Sequence, residues 1–214
     1  MEPSFWHNRW QTNQTGWHER DINPLLITHF PSLNVPPGGR VFVPLCGKLL
    51  DLGWLLSRGY AVAGAELSEL AVTQLFAELG IEPRITEVGK HKLFRGEKID
   101  IFVGDLFDLF REILGPVDAV YDRAALVALP EAARVQYTAH LETITDLAPQ
   151  LVIGYAYDQT VVAGPPFSVT PDELHRHYSD SYSLTPLARV EVPGGLKGKC
   201  PATEHIWRLN KRPG

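Results

Sequence analysis

Three ionisable groups, each placed just after an apolar run, carry the chemistry open to this chain. Glu66 closes the run Ala61-Val62-Ala63-Gly64-Ala65, about 20 residues behind a turn, Pro44-Leu45-Cys46-Gly47-Lys48, that itself ends the run Val41-Phe42-Val43. A carboxylate at that spacing can accept hydrogen bonds from both hydroxyls of a ribose; the bland alternative is a solvated glutamate at a strand end. Asp105 follows Ile99–Val103 and precedes Leu106. It can accept from an adenine amino group while Leu106 covers the ring, or it can simply cap the next turn. Arg123, after Val117–Tyr121 and beside Asp122, is permanently charged, so it is a poor base and a good partner for an anion. Its plain alternative is an ion pair with Asp122 or another neighbour. The first turn lacks the Gly-x-Gly-x-x-Gly pattern and has only Gly47, which argues against a pyrophosphate and for a nucleoside ligand without phosphates.

Groups like these need a scaffold that ends several strands at one place. Arg40–Leu45, Ala61–Leu67, Val117–Tyr121 and Leu151–Tyr157 read as buried strands. Leu49–Arg58 reads as a helix closed by Gly59, and Glu69–Leu79 as a helix capped by Ser68 and stopped by Gly80. Pro130 opens a helix to about Leu147. Thr170, with Pro171 at the first helical position and Glu173 three residues on, opens another and approaches a capping box. Ile85–Arg95 and Lys98–Val103 predict a hairpin around Arg95-Gly96-Glu97. Two C-terminal strands, about Ser183–Val192 and Glu204–Leu209, flank a Gly/Lys loop and should pair antiparallel. Alternating strands and helices followed by a closing strand pair predict one doubly wound α/β domain over residues 1–214. The aromatic stretch 5–30, in which Trp6 and Trp10 share a helical face, and the loop 158–170 would lie as covers over the strand ends.

Composition narrows the partners. With 20 Lys+Arg against 25 Asp+Glu, formal charge -5, and no basic block, nucleic acid is not expected. No apolar run reaches the ~20 residues of a membrane span, and the start lacks a signal-peptide pattern. Two cysteines, Cys46 and Cys200, are too few for a disulfide framework, so a reducing cytoplasmic setting is expected, and with no coiled-coil pattern visible a monomer is expected. His175 and His177 are two apart on an expected helix and do not face one another, so a metal site is not expected.

Val43–Lys48 together with Gly64–Glu69 is similar to the first two motifs of the thiopurine S-methyltransferases. Tyr121-Asp122-Arg123-Ala124-Ala125-Leu126 resembles that family's Asp-Arg segment, Gly164-Pro165-Pro166-Phe167 its Gly-Pro-Pro-Phe loop, and Trp6, Trp10 and Trp17-His18 its N-terminal aromatic cover. The resemblance runs from about residue 5 to 210. It implies a Rossmann-like fold of seven strands with the last antiparallel, binding S-adenosylmethionine. Carried over by motif, it implies cofactor contacts from Trp10, Leu45, Glu66, Asp105, Leu106 and Arg123, and substrate contacts from Trp17 and Phe167. Arg123 would be the catalytic cation beside the acceptor sulfur, and the acceptor would be a small aromatic or heterocyclic thiol. A second cation of the animal members has no clear partner; Lys197, Lys199 and Arg189 are the nearest. Selenium or tellurium acceptors, a protein that binds S-adenosylmethionine without transferring methyl, and a nicotinamide oxidoreductase are the alternatives, the last weakened by the missing glycines.

Overall fold

A computed structural model describes residues 3–16, 18, 19 and 21–213. The apolar runs form the middle of a single sheet. These are β1 (Arg40–Pro44), β2 (Ala61–Glu66), β5 (Ile99–Val103), β6 (Ala119–Arg123) and β7 (Gln150–Tyr157), mutually parallel in the order β5-β2-β1-β6-β7. Their runs are continuous rather than alternating because both faces are covered. Val41, Val43, Val62, Ile101, Tyr121 and Leu151 pack on one face against α2 (Pro24–His29), α3 (Leu50–Ser57) and α4 (Glu69–Leu79). Phe42, Ala63, Phe102, Val120 and Val152 pack on the other against α5 (Arg111–Leu114), α6 (Glu131–Thr145) and α7 (Pro171–Tyr178). That is the doubly wound arrangement.

The sheet has nine strands, two more than the seven implied by the resemblance. The extra pair is β3 (Arg84–Val88) and β4 (His91–Gly96), an antiparallel hairpin added at the β5 edge. The expected strand 85–95 is therefore two strands. Gly89, with φ 58°, takes the first central position of a two-residue turn, the position at which a type II′ hairpin needs glycine. The expected turn around Arg95-Gly96-Glu97 joins β4 to β5 one residue further on, at Glu97-Lys98, since Gly96 pairs with Ile99. At the opposite edge β9 (Ala202–Lys211) runs antiparallel between β7 and β8 (Tyr182–Glu191), so the last strand is antiparallel as expected.

The caps explain where the helices stop and start. Ser68 Oγ accepts from the Ala71 amide at 3.3 Å, and Gly80 closes α4 in the left-handed region with φ 67°. Thr170 Oγ1 accepts from the Glu173 amide at 3.2 Å. The reciprocal half of a capping box does not form, because the Glu173 carboxylate is held by the Arg134 guanidinium at 2.6 Å. The chain leaves β1 for β2 on one side and reaches β6 on the other, so the carboxyl ends of β1, β2, β5 and β6 open onto a switch-point crevice. An aromatic helix, α1 (Pro3–Gln11), covers that crevice with its one buried residue, Trp10.

Candidate functional site

At the switch point lies a cavity of about 600 Å³. Its floor is the turn after β1. Leu45 (φ 47°) and Gly47 (φ 51°) both take left-handed backbone, which swings the Gly47 amide toward β2. There Glu66 Oε2 accepts it at 2.8 Å, while Oε1 accepts the Ser68 amide at 2.8 Å. Each oxygen keeps a further lone pair to offer. Burial pushes the Glu66 pKa up, and the amides of Ser68, Gly47 and Leu67 work against that rise. Glycine is favoured at 47 for two reasons: its φ is positive, and a Cβ there would crowd Trp10 Cζ2 at 3.0 Å, so the indole would have to shift. Cys46 is fully buried, its sulfur packed against Gly64 behind the turn, and burial raises its pKa well above the ordinary thiol value. It is placed and tuned as a packing residue, not a nucleophile.

The second wall follows β5. Asp105 Oδ1 accepts from the Phe107 amide at 3.0 Å and so caps a single 3-10 turn, Leu106–Asp108. Its second oxygen carries no protein hydrogen bond among the described residues and is open to a ligand. Two imidazoles hold consecutive carbonyls of this loop: His91 Nε2 lies 2.9 Å from Asp105 O, and His140 Nε2 lies 2.9 Å from Leu106 O. Leu106 and Phe107 give the wall an apolar surface.

Arg123 ends β6 and points inward. Its Nη2 lies 2.6 Å from Glu19 Oε1 and its Nη1 3.9 Å from Asp51 Oδ2. Asp51 is itself fixed by the Asn23 amide and the Tyr121 hydroxyl, both at 2.9 Å. Burial disfavours the guanidinium charge, but Tyr121, Glu19 and Asp51 outweigh it, and the Arg123 pKa is raised. Asp122 does not orient Arg123, as sequence alone had left open. Adjacent strand residues face opposite ways, and Asp122 accepts instead from the Leu126 amide at 3.1 Å and the Tyr137 hydroxyl at 2.7 Å on the far face.

The third wall contains residues that sequence reasoning did not single out for a role. Tyr155 on β7 and Glu204 on β9 are direct cross-strand partners, and both line the cavity. Burial raises the Glu204 pKa, while the neighbouring Tyr155 hydroxyl pulls the other way. Nothing in the local sequence marks Glu204; only the β7–β9 register, with Tyr155 opposite, brings it to the site. The loop 158–170 is braced against the same wall by Tyr157 Oη donating to Pro166 O at 2.6 Å and Lys197 Nζ donating to Pro165 O at 2.8 Å.

Trp10, Leu45, Glu66, Asp105, Leu106 and Arg123 thus all line one cavity, with Trp6 and Lys197 beside them. Phe167 does not line it. Its amide donates to Val127 O at 2.6 Å and its ring packs on Gly164, which leaves Pro165 and Pro166 as the face of that loop toward the cavity. Trp17 lies outside the described residues. His175 and His177 diverge, the first packing edge-on to Trp207 at 5.5 Å and the second 3.2 Å from Glu173. Among the described residues no three His, Cys, Asp or Glu side chains gather as metal ligands, and no helix is long and apolar enough to cross a membrane.

The donor set fits S-adenosylmethionine. A carboxylate with free lone pairs suits a ribose, a glycine turn under an indole admits a nucleoside, and a buried guanidinium suits an anion. Comparison with known proteins agrees. The sequence model of the thiopurine S-methyltransferase family matches residues 1–210. A thiopurine S-methyltransferase of Xanthobacter autotrophicus is 55% identical over 212 residues, covering 99% of this chain and 100% of that one. Its counterpart in Teredinibacter turnerae is 49% identical over 211 residues, covering 99% and 98%. Among solved structures, the Burkholderia thailandensis 1,6-didemethyltoxoflavin-N1-methyltransferase, with 1,6-didemethyltoxoflavin and S-adenosylhomocysteine bound, superposes with a TM-score of 0.66 at 16% identity over 98% of this chain and 87% of that one. TehB from Haemophilus influenzae does so with a TM-score of 0.64 at 12% identity over 91% and 64%. At those identities the two structures speak to the fold alone.

Proposed function

The chain belongs to the thiopurine S-methyltransferase family, and from that membership we propose that it transfers the methyl of S-adenosylmethionine to the sulfur of small aromatic or heterocyclic thiols. The observation that carries this reading is the meeting of Glu66 and Arg123 in one cavity at the switch point, with apolar walls between them. The sulfonium supplies a methyl already activated for in-line displacement, so neither a metal nor a covalent intermediate is needed. The residues have to bind, align and exclude water, and alignment of this kind is worth up to roughly 7–11 kcal/mol.

Glu66 would hold the ribose hydroxyls with the lone pairs that Gly47 and Ser68 leave free. Leu106 would cover one face of the adenine with Phe107 beside it, and the remaining oxygen of Asp105 would take its amino group. Trp10, pressed on Gly47, would face the sulfonium, an attraction of ~0.5–2 kcal/mol. Arg123 would stabilise the attacking thiolate, as a nearby cation does for any thiol. Glu19, at 45% side-chain exposure, is the partner Arg123 would release when a ligand anion arrives. The reading extends to a monomer of one catalytic domain acting in the cytoplasm, which two unpaired, buried cysteines suit.

The test is incubation with methyl-labelled S-adenosylmethionine and 6-mercaptopurine. Label on the thiopurine sulfur is expected. Tight binding of the cofactor with no transfer to any aromatic thiol would reject the enzyme in favour of a binding protein.

A further inference from the structure

The acceptor side of the cavity holds a carboxylate that the reading above leaves without a role. Arg123 pairs with Ile153 across β6 and β7, and Tyr155 pairs with Glu204 across β7 and β9. Directly opposed residues share a sheet face, as do residues two apart on a strand. Arg123, Ile153, Tyr155 and Glu204 therefore stand on one face, and all four line the cavity. Arg123 and Glu204 are two strands apart and offset by two residues along β7, a diagonal backbone separation of roughly 12 Å, with Ile153 and Tyr155 between. A flat heterocycle fits across that span, with the cation at one edge and the carboxylate at the other.

Two carboxylates face this region, and they are not equivalent. Glu19 is half exposed and committed to Arg123 at 2.6 Å. Glu204 is more enclosed and forms no ion pair among the described residues; Tyr155 stands directly opposite it and its hydroxyl favours the charged carboxylate. Burial and the Glu19 charge raise its proton affinity, whereas Tyr155 and Arg123 lower it. Lys197, on the loop between β8 and β9, gives its ammonium to Pro165 O rather than to Glu204.

We propose that Glu204 is a catalytic base that takes the ring N–H proton of a heterocyclic thioamide, S=C–N–H, as the sulfur of that acceptor is methylated. The proposal rests on the methyl-transfer reading and deepens it: within the acceptor class, Glu204 acts on thiones that carry an adjacent N–H and is idle toward thiolates that have no proton to lose. The acceptor sulfur forms the S–CH₃ bond with its own lone pair, and the bond from methyl to the sulfonium breaks with its electrons returning to the donor sulfur. Methylating a neutral thioamide leaves one positive charge on the S–C–N unit. Transfer of the N–H proton to the Glu204 carboxylate gives a neutral thioimidate and a neutral carboxyl group, which returns the proton to water when product leaves. Arg123 steadies the sulfur as charge builds, and Tyr155 is a positioning residue that holds the carboxylate toward the ring edge.

The experiment compares Glu204→Gln with wild type on two acceptors, pyridine-2-thione, which has the adjacent N–H, and thiophenol, which has none, at a pH where thiophenol is already ionised. The glutamine is nearly isosteric, and its S-adenosylhomocysteine affinity reports whether the site is intact. Turnover of the thione is expected to fall roughly a hundredfold further than that of thiophenol. Thione binding, read from its absorbance with S-adenosylhomocysteine present, should weaken about tenfold. Tyr155→Phe removes a donor to the carboxylate, so the acidic limb of the thione rate profile should move to higher pH. Equal losses on both acceptors, or an unmoved acidic limb in Tyr155→Phe, would overturn the role of Glu204 while leaving methyl transfer intact. A wild-type protein that binds S-adenosylhomocysteine yet methylates neither acceptor would overturn the transfer reading and this role with it.

Discussion

Glu66 and Gly47 come from two different strand ends, yet the carboxylate of one accepts the amide of the other at 2.8 Å. One hydrogen bond thereby ties the floor of the cavity to the group proposed to hold the ribose. Replacing Glu66 by Gln keeps the shape but removes the charge. S-adenosylhomocysteine affinity measured by calorimetry should weaken by about 1–3 kcal/mol, the worth of charge-assisted hydrogen bonds. An affinity within error of wild type would remove Glu66 from the binding site.

Arg123 is the other end of that site. Arg123→Ala should lower turnover by roughly two orders of magnitude, as loss of a preorganised charge does. Stability should suffer much less, because Asp51 keeps the Asn23 amide and the Tyr121 hydroxyl, and Glu19 can turn to water. The expected fall in melting temperature is about 2–4 °C per kcal/mol lost for a chain of this size, and the loss should be near one. A large loss of stability matched by a small loss of rate would make Arg123 a structural ion-pair member.

Much of this site was legible in sequence because its parts sit at strand ends, where an apolar run stops on a polar residue. Glu66, Asp105 and Arg123 each carry that mark. So do the caps Ser68 and Gly80, since each has a local reason to be where it is. What sequence did not disclose depends on pairing between distant segments. Glu204 reaches the cavity only through its register with Tyr155, Glu19 only through folding of the N-terminal cover onto β6, and Asp51 only through the packing of α3 beside β6. Phe167 shows that a motif does not give the direction of its side chains. Its motif is in the right place, but the loop turns its prolines rather than its ring inward. The Gly89 turn was hidden because β3 is exposed along nearly its whole length, so it carries no inward-outward alternation whose change of phase would mark the start of β4.

Asp122 makes a pH dependence that can be isolated. It is fully buried, and burial raises its pKa from 3.8 to about 6 despite bonds from the Leu126 amide and the Tyr137 hydroxyl. A carboxyl with a raised folded-state pKa favours folding while protonated. That contribution is complete below the unfolded value and is lost as pH rises through about 6. Against Asp122→Asn, which does not titrate, wild-type stability should decline across this window by something on the order of 3 kcal/mol. Urea midpoints of the two proteins at about pH 4 and pH 7 measure it. A constant difference between them would mean that Asp122 ionises in the fold as readily as in the unfolded chain.

The ion pair that holds α6 to α7 lies away from the proposed chemistry and should behave accordingly. Arg134 Nε donates to Glu173 Oε1 at 2.6 Å with both side chains almost fully buried, and its Nη1 donates to Leu129 O at 2.7 Å. Glu173→Ala leaves a guanidinium buried with only that carbonyl, and His177 loses its neighbour as well. Breaking a buried pair on one side costs about 3–5 kcal/mol because the surviving charge stays dry. Replacing both partners, Arg134→Met with Glu173→Leu, removes the orphaned charge, so the double variant should recover most of what the single one loses. Chemical denaturation of wild type, single and double variants reads this directly. A double variant no more stable than the single one would mean that the pair contributes through its geometry rather than through the cost of stranding a charge. Leu129 also lines the cavity, so S-adenosylhomocysteine affinity measured on the same proteins tells whether the α6 end moves with the pair. The expected result is an affinity little changed, because Glu66, Asp105 and Arg123 are all anchored through other elements.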